Sequence, residues 1–402
     1  MKAYFKFELS QFIKSKKNIA IYVLLLFLAC FYALNIAPSY KPIEKVDAKE
    51  IEARYLSREA FLSNFTNENR FTGMAGYGLA IYPKWNWLDK SRLDALNDNK
   101  LKQYSKFTSE WYIYSNNITY GSEHFFYSPG YYTHGNLYAS EDGYYGYLYS
   151  ASRYQGYAEG KSKLSINVFE ERTALQTLQR LLHSYLPMIL MICCVFLTVD
   201  VVLKDRLNPS LLKGFPISDW KKLIIKGAVS LIGSIGVIVP LSVGLLLIGI
   251  RYGFGDFQLP VPIYSYSGEP SYFNKGEFIN ITMGSYLLEN FILLIFCFMF
   301  LISLVLLVSM IIKNEFANLL VAAIFIFNEI FYFKRGIGFF YEVENYPTNY
   351  VQVGQILSGY RNYIYNSSAL NLGNGLTALG MGTGVLLLLI FLISKYKRYK
   401  LV

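Results

Sequence analysis

Apolar residues in this chain gather into six runs, and the stretches between them are polar, charged or crowded with tyrosine and glycine. The runs occupy residues 18–37, 185–203, 227–250, 285–312, 316–333 and 372–394. Each approaches or exceeds the ~18–20 residues that a helix needs to cross a hydrocarbon core, so each is read as a membrane span. Pro38 closes the first run, and Lys313-Asn314-Glu315 makes a tight polar turn between the fourth and fifth. Ahead of the first run, residues 1–17 place Phe5, Leu9, Phe12 and Ile13 near one helical face, with Lys6 and Lys14 elsewhere. That arrangement predicts an amphipathic helix lying in the interface plane.

Residues 38–180 are polar by comparison. Glu44, Asp47, Glu50, Glu52, Arg54, Arg58 and Glu59 fall close together and predict a solvated helix. In 111–157, tyrosines and other aromatics are broken by Gly, Pro and Asn, a pattern that predicts short strands and tight turns. The tyrosines are either the core of that region or a surface for an amphipathic ligand. From about Ser165 a helix is expected to run straight into the second span. The fold class expected is a mainly α-helical polytopic membrane protein, with an N-terminal interfacial helix and six transmembrane helices. A large mixed α/β extracytoplasmic domain stands between spans one and two. The connections are 204–226, 251–284 and 334–371, with a tail at 395–402.

Composition sharpens this. The chain has 402 residues, 53% apolar and 16% charged, where soluble proteins carry about a quarter charged residues. Its net charge of +10 does not argue for nucleic acid, because Lys and Arg cluster at the ends of apolar runs. They concentrate at 2–17, 204–226, 313 and 395–400, while the short loops 251–284 and 334–371 hold only Arg251, Lys275, Lys334, Arg335 and Arg361. Basic short loops stay cytoplasmic. Both termini and 204–226 are therefore expected inside and 38–180 outside a plasma membrane of bacterial type. The cysteines, Cys30, Cys193, Cys194 and Cys297, all lie in apolar runs, so the outer region has no disulfide framework. His124 and His134, near Glu123 and Asp142, match no zinc spacing. Gly156 to Ser162 is one residue short of a phosphate-binding loop. No catalytic cluster emerges.

The most informative connection is 204–226, KDRLNPSLLKGFPISDWKKLIIK. Asn208 can cap orphan amides, Pro209 suits a first helical position, and Gly214 can take the left-handed conformation after a last turn. Ser218 then caps a helix leading into the third span. Leu211, Leu212 and Phe215 give the short helix an apolar face, beside Pro216 and Trp220.

This loop resembles that of the membrane subunits of type-2 ABC transporters, also called type V ABC exporters. The matching residues are Leu211-Leu212, Pro216-Ile217-Ser218 and Lys226, while Asn208-Pro209-Ser210 replaces the family's acidic and Gly-Thr portion. Pro347-Thr348-Asn349-Tyr350 through Leu357-Ser358-Gly359 is similar to the family's polar loop before span six. The outer region lies beyond the resemblance. It implies a permease without ATPase activity of its own, whose 204–226 loop seats a coupling helix on a separate ATPase present in two copies. ATP and Mg would be held by that ATPase and no cofactor by this chain. A second permease chain, same or related, would complete the assembly, with spans two and five facing each other across it. An amphipathic peptide, lipid-like molecule or drug is the substrate expected. The alternative is a membrane-embedded sensor or immunity protein that binds an outer ligand without pumping it. Polar residues at membrane depth default to functional candidates, which singles out Asn328 and Glu329 near the outer end of the fifth span. Asp200 is read as a local partner of Lys204, four residues on.

Overall fold

The computed structural model describes residues 1–64, 73–207, 215–271, 274–312, 314–328, 333–335, 338–339 and 342–396. Five helices are long and apolar enough to cross a membrane: Lys16–Ser39, Leu186–Asp205, Asp219–Tyr252, Met283–Ile311 and Leu372–Ser394. Residues expected to form a further span, 316–333, contribute a 13-residue helix, Glu315–Phe327. At 1.5 Å per residue this reaches ~20 Å, short of the ~30 Å hydrocarbon thickness. Residues 329–332 lie outside the described residues.

In chain order, the helices are α1 (Lys2–Lys14) and α2 (Lys16–Phe31), the latter prolonged to Ser39 through a wide π-type turn at Tyr32–Ile36. Then come α3 (Ala48–Ser63), α4 (Gly73–Asn97), α5 (Leu101–Thr119), α6 (Ala139–Glu159) and α7 (Ala174–His183). The bundle continues with α8 (Leu186–Thr198), α9 (Asp219–Gly236), α10 (Ile238–Tyr252), α11 (Met283–Ile311), α12 (Glu315–Phe327) and α13 (Leu372–Ser394). Burial sorts them. Within their apolar windows, the spans at 186–205 and 283–311 are 61% and 56% buried, against 11% for 16–39 and 22% for 372–394. The spans containing α8 and α11 are thus the inner members, and α2 and α13 turn most of their apolar surface outward.

The region 38–180 corrects the expectation of a mixed α/β domain, because its described residues form helices joined by loops, with no strand among them. The helices α3, α4, α5 and α6 pack in sequence, each against the next. Tyrosines read as strand formers sit on helix faces instead. Tyr147, Tyr154 and Tyr157 repeat at i, i+7 and i+10 along α6 and are buried, as are Tyr104 and Tyr112 on α5. Two of the glycines on α6 are packing surfaces rather than turns. A Cβ on Gly143 or Gly146 would stand 2.1 or 2.2 Å from the rings of Tyr127 and Tyr131, so only glycine lets those rings lie on the helix. Several buried polar groups pair inside this layer. Asp89 is fully buried and bonds Arg58 at 2.5 Å and Arg92 at 3.0 Å, while Trp85 Nε1 donates to Ser115 at 2.7 Å.

Two further expectations change. The helix leading into the second span does not run straight, since it breaks at Ser184 (φ −101, ψ −131) before α8 begins. Pro187 lies in the first turn of α8, where its missing N–H costs nothing. The connection 251–284 also contains a strand pair, β1 (Pro260–Ser265) antiparallel to β2 (Glu277–Thr282). Pro260 and Pro262 are tolerated because edge strands lack one hydrogen-bonding neighbour.

At its other end the chain folds short helices, Pro347–Val351, Val353–Leu357 and Tyr360–Tyr365, in front of α13. Tyr350, Val353 and Ile356 are buried there, and Val353–Leu357 packs against both α11 and α7. Gly359 has φ +72 and a Cβ there would stand 1.9 Å from the carbonyl oxygen of Tyr264, so this turn demands glycine.

Candidate functional site

Chemistry-bearing groups gather at two places. The first is where α1 meets the residues flanking 204–226. Asn208, Pro209, Leu211, Leu212 and Gly214 lie outside the described residues, but their surroundings are defined. Helix α1, expected as an interfacial helix, packs against α9, burying Tyr4 and Glu8 and leaving Ile13 exposed. Lys226 is only 2% exposed and bonds Glu8 at 2.7 Å and Asp205 at 3.0 Å. Asp200 bonds Lys204, as its spacing predicted, and also Lys17, both at 2.5 Å. Phe215 does not present its ring as an open docking face, because it packs on Tyr4 and Phe7 with ring centroids 5.1 and 5.3 Å away. Trp220 stands edge-on to Phe391 of α13 at 5.6 Å, and Pro216 is exposed. The residues following 208–214 thus bridge the N-terminal helix and the last span.

The second place is a cavity of about 730 Å³ between the helical layer 38–183 and the ends of the spans. The residue Tyr286 of α11, the α7–α8 junction and the short helices before α13 contribute to its wall. The arrangement follows from local structure. On α7, Gln179, Arg180 and His183 share the face turned to the cavity, while Leu182 is buried behind it. His183 Nδ1 lies 3.2 Å from Ser358 Oγ, and its carbonyl accepts from Gln355 Nε2 at 2.9 Å. Burial, then the neighbouring Arg361 guanidinium, hold the His183 imidazole down at about 4, so it is neutral near pH 7. Arg153, 2% exposed, bonds Glu44 at 2.6 Å and also pairs with Glu171.

Two of the residues weighed for a metal, His134 and Asp142, line this wall. Asp142 accepts from the Thr133 backbone N–H and hydroxyl at 2.8 and 2.7 Å and pairs with Arg335. The Arg335 guanidinium lies 3.1 Å from His134 Nδ1. A cation is thus already in place, and among the described residues no group of three or more ligand side chains could hold a metal. Of the residues proposed to line a transport path, Asn328 donates to Thr348 at 3.4 Å, and Glu329 lies outside the described residues. Sequence reasoning missed Arg180, His183, Arg335 and Arg361. Only the first two carried a signal, a polar pair three residues apart on an otherwise leucine-rich helix.

The chain matches no protein-family model, and neither a curated protein nor a solved structure matches it significantly.

Proposed function

We propose that this chain is the permease subunit of an ATP-driven ABC exporter, moving an amphipathic substrate with a separate ATPase. The observation that carries the reading is how the 204–226 connection is fastened. Lys226, Phe215 and Trp220 tie its flanks to α1 and α13, so a push on 208–214 reaches the N-terminal helix and three spans together. An unbraced connection would absorb the push in its own backbone. Two ATPase copies, charged with ATP and Mg, would drive two such loops.

Support for six spans comes from the apolar helix α12, Glu315–Phe327. Support for a second permease chain comes from exposed apolar stripes on the second and fifth spans. Helix α12 exposes Phe316, Leu320, Ile324 and Phe327 at i, i+4, i+8 and i+11, and α8 exposes Ile189 and Phe196. The outer layer would then stand over the exit side and its cavity would receive substrate.

The test is purification from native membranes in mild detergent. An ATPase bearing Walker A and signature motifs should co-purify in equal copies with this chain. Leu211→Ala with Leu212→Ala should release it, since burying each leucine contributes about 1.5–3 kcal/mol and 1.4 kcal/mol is tenfold in affinity. Retention of wild-type coupling by the double variant, or the absence of any such ATPase, would sink the reading and leave a ligand-binding sensor.

A further inference from the structure

The walls of the outer cavity are not electrostatically balanced. Its carboxylates, Glu44, Asp142, Glu170 and Glu171, are all engaged within the fold. Arg153 takes Glu44 and Glu171, Arg335 takes Asp142, and Arg172 takes Glu170 at 2.7 Å. Arg361, also in the wall, donates to Gln355 Oε1 at 2.7 Å, and Arg180 is left over. Among the described residues no carboxylate lies within ion-pair distance of it, and it donates to a neutral group, from Nη2 to Thr177 Oγ1 at 3.2 Å. The guanidinium stacks 3.5 Å above the Tyr40 ring, and its Nε is buried without an acceptor. Stacking fixes the fork while leaving donors for the two oxygens of an anion, the paired geometry in which arginine binds carboxylate or phosphate best.

The rest of the wall is aromatic. Tyr145, Tyr149, Tyr286 and Tyr360 border the same space, and tyrosine offers an apolar ring with a polar tip. The volume lies within the ~300–1,000 Å³ of small-molecule sites. We infer that this cavity binds a single-chain anionic amphiphile, with its carboxylate or phosphate head on Arg180 and its acyl or aromatic body along the tyrosines. This deepens the exporter reading by naming a substrate class, yet binding needs no ATPase. A chain that binds such a molecule and does not pump overturns only the exporter reading.

The experiment uses the full chain in phosphatidylcholine nanodiscs, with empty discs subtracted, and titrates dodecyl phosphate against dodecylphosphocholine. The two share chain and phosphate but differ in net charge. Dodecyl phosphate should bind saturably and at least tenfold more tightly. Arg180→Gln should remove that preference and leave dodecylphosphocholine unchanged, while Arg180→Lys should restore part of it. If Arg180→Gln does not fold, the wild-type preference and Arg180→Lys still decide. Discs containing phosphatidylglycerol separate the sources. Loss of dodecyl phosphate binding there marks a membrane-lipid headgroup as the occupant, and persistence marks a soluble amphiphile. Equal affinity for the two probes, or a preference that survives Arg180→Gln, overturns the inference.

Discussion

Replacing Lys226 by Met should be among the most damaging single changes in the bundle. Lys226 Nζ sits between Glu8 and Asp205 at 2.7 and 3.0 Å, with only 2% of its side chain exposed. Without it, two carboxylates that share one ammonium face each other within ~6 Å. At an effective dielectric of ~20 that repulsion is about 3 kcal/mol, in line with the ~3–5 kcal/mol lost when one partner of a buried ion pair is removed. Adding Glu8→Gln to Lys226→Met removes one of the facing charges and should recover about half of the loss. Thermal unfolding read by a thiol-reactive fluorophore suits this chain, because Cys193, Cys194 and Cys297 are buried. Cys30 is replaced by Ser first, since it is partly exposed. A cost under about 1 kcal/mol for Lys226→Met, or a double variant no better than the single one, would mean the cluster is solvated. The bracing argument for 204–226 would then fail.

Two further outcomes follow from the outer wall. The His183 imidazole titrates near 4 when folded and near 6.5 when unfolded, so the unfolded chain binds more protons between those values. Stability should therefore fall as pH drops from about 6.5 to about 4, by at most about 3 kcal/mol, and His183→Gln should gain stability relative to wild type at pH 5 but not at pH 7.5. Equal melting differences at both pH values would refute this. Gly359→Ala should cost about 2 kcal/mol or more, from the left-handed backbone and the clash with the Tyr264 carbonyl, and should loosen the hydrogen bond from the Tyr264 N–H to the Ser358 carbonyl. Wild-type melting of this variant would show that the turn is not held as described.

The spans were the readable part of the sequence. The run 372–394 coincides with α13, and 285–312 differs from α11 by two residues at one end and one at the other, because a long uncharged run has few other ways to fold in lipid. The outer layer was misread for a physical reason. Tyr and Gly weigh toward strands and turns when taken one at a time, whereas here Gly143 and Gly146 make room for rings against a helix. That depends on Tyr127 and Tyr131, which are more than a dozen residues away in sequence. The outer cavity was hidden for a similar reason. Arg180, Arg335 and Ser358 are brought together by tertiary packing alone, and no local spacing announces it. The caps expected at Asn208 and Gly214 lie outside the described residues, and the fastening of the 204–226 connection to α1 rests on Lys226, whose partner Glu8 is 218 residues away.

One apolar core joins Tyr104, Tyr154 and Phe169 of the region 38–180 to Leu293, Leu301 and Ile390 of the spans. Modular proteins keep a separate core in each domain, which is why their parts can be exchanged or excised. Here the layer 38–180 shares its largest core with the spans. Another protein's region cannot be grafted in place of 38–180 without also rewriting the face of α11 and the short helices before α13. A ligand that rigidifies the cavity will likewise stiffen the bundle beneath it, since both draw on the same packing.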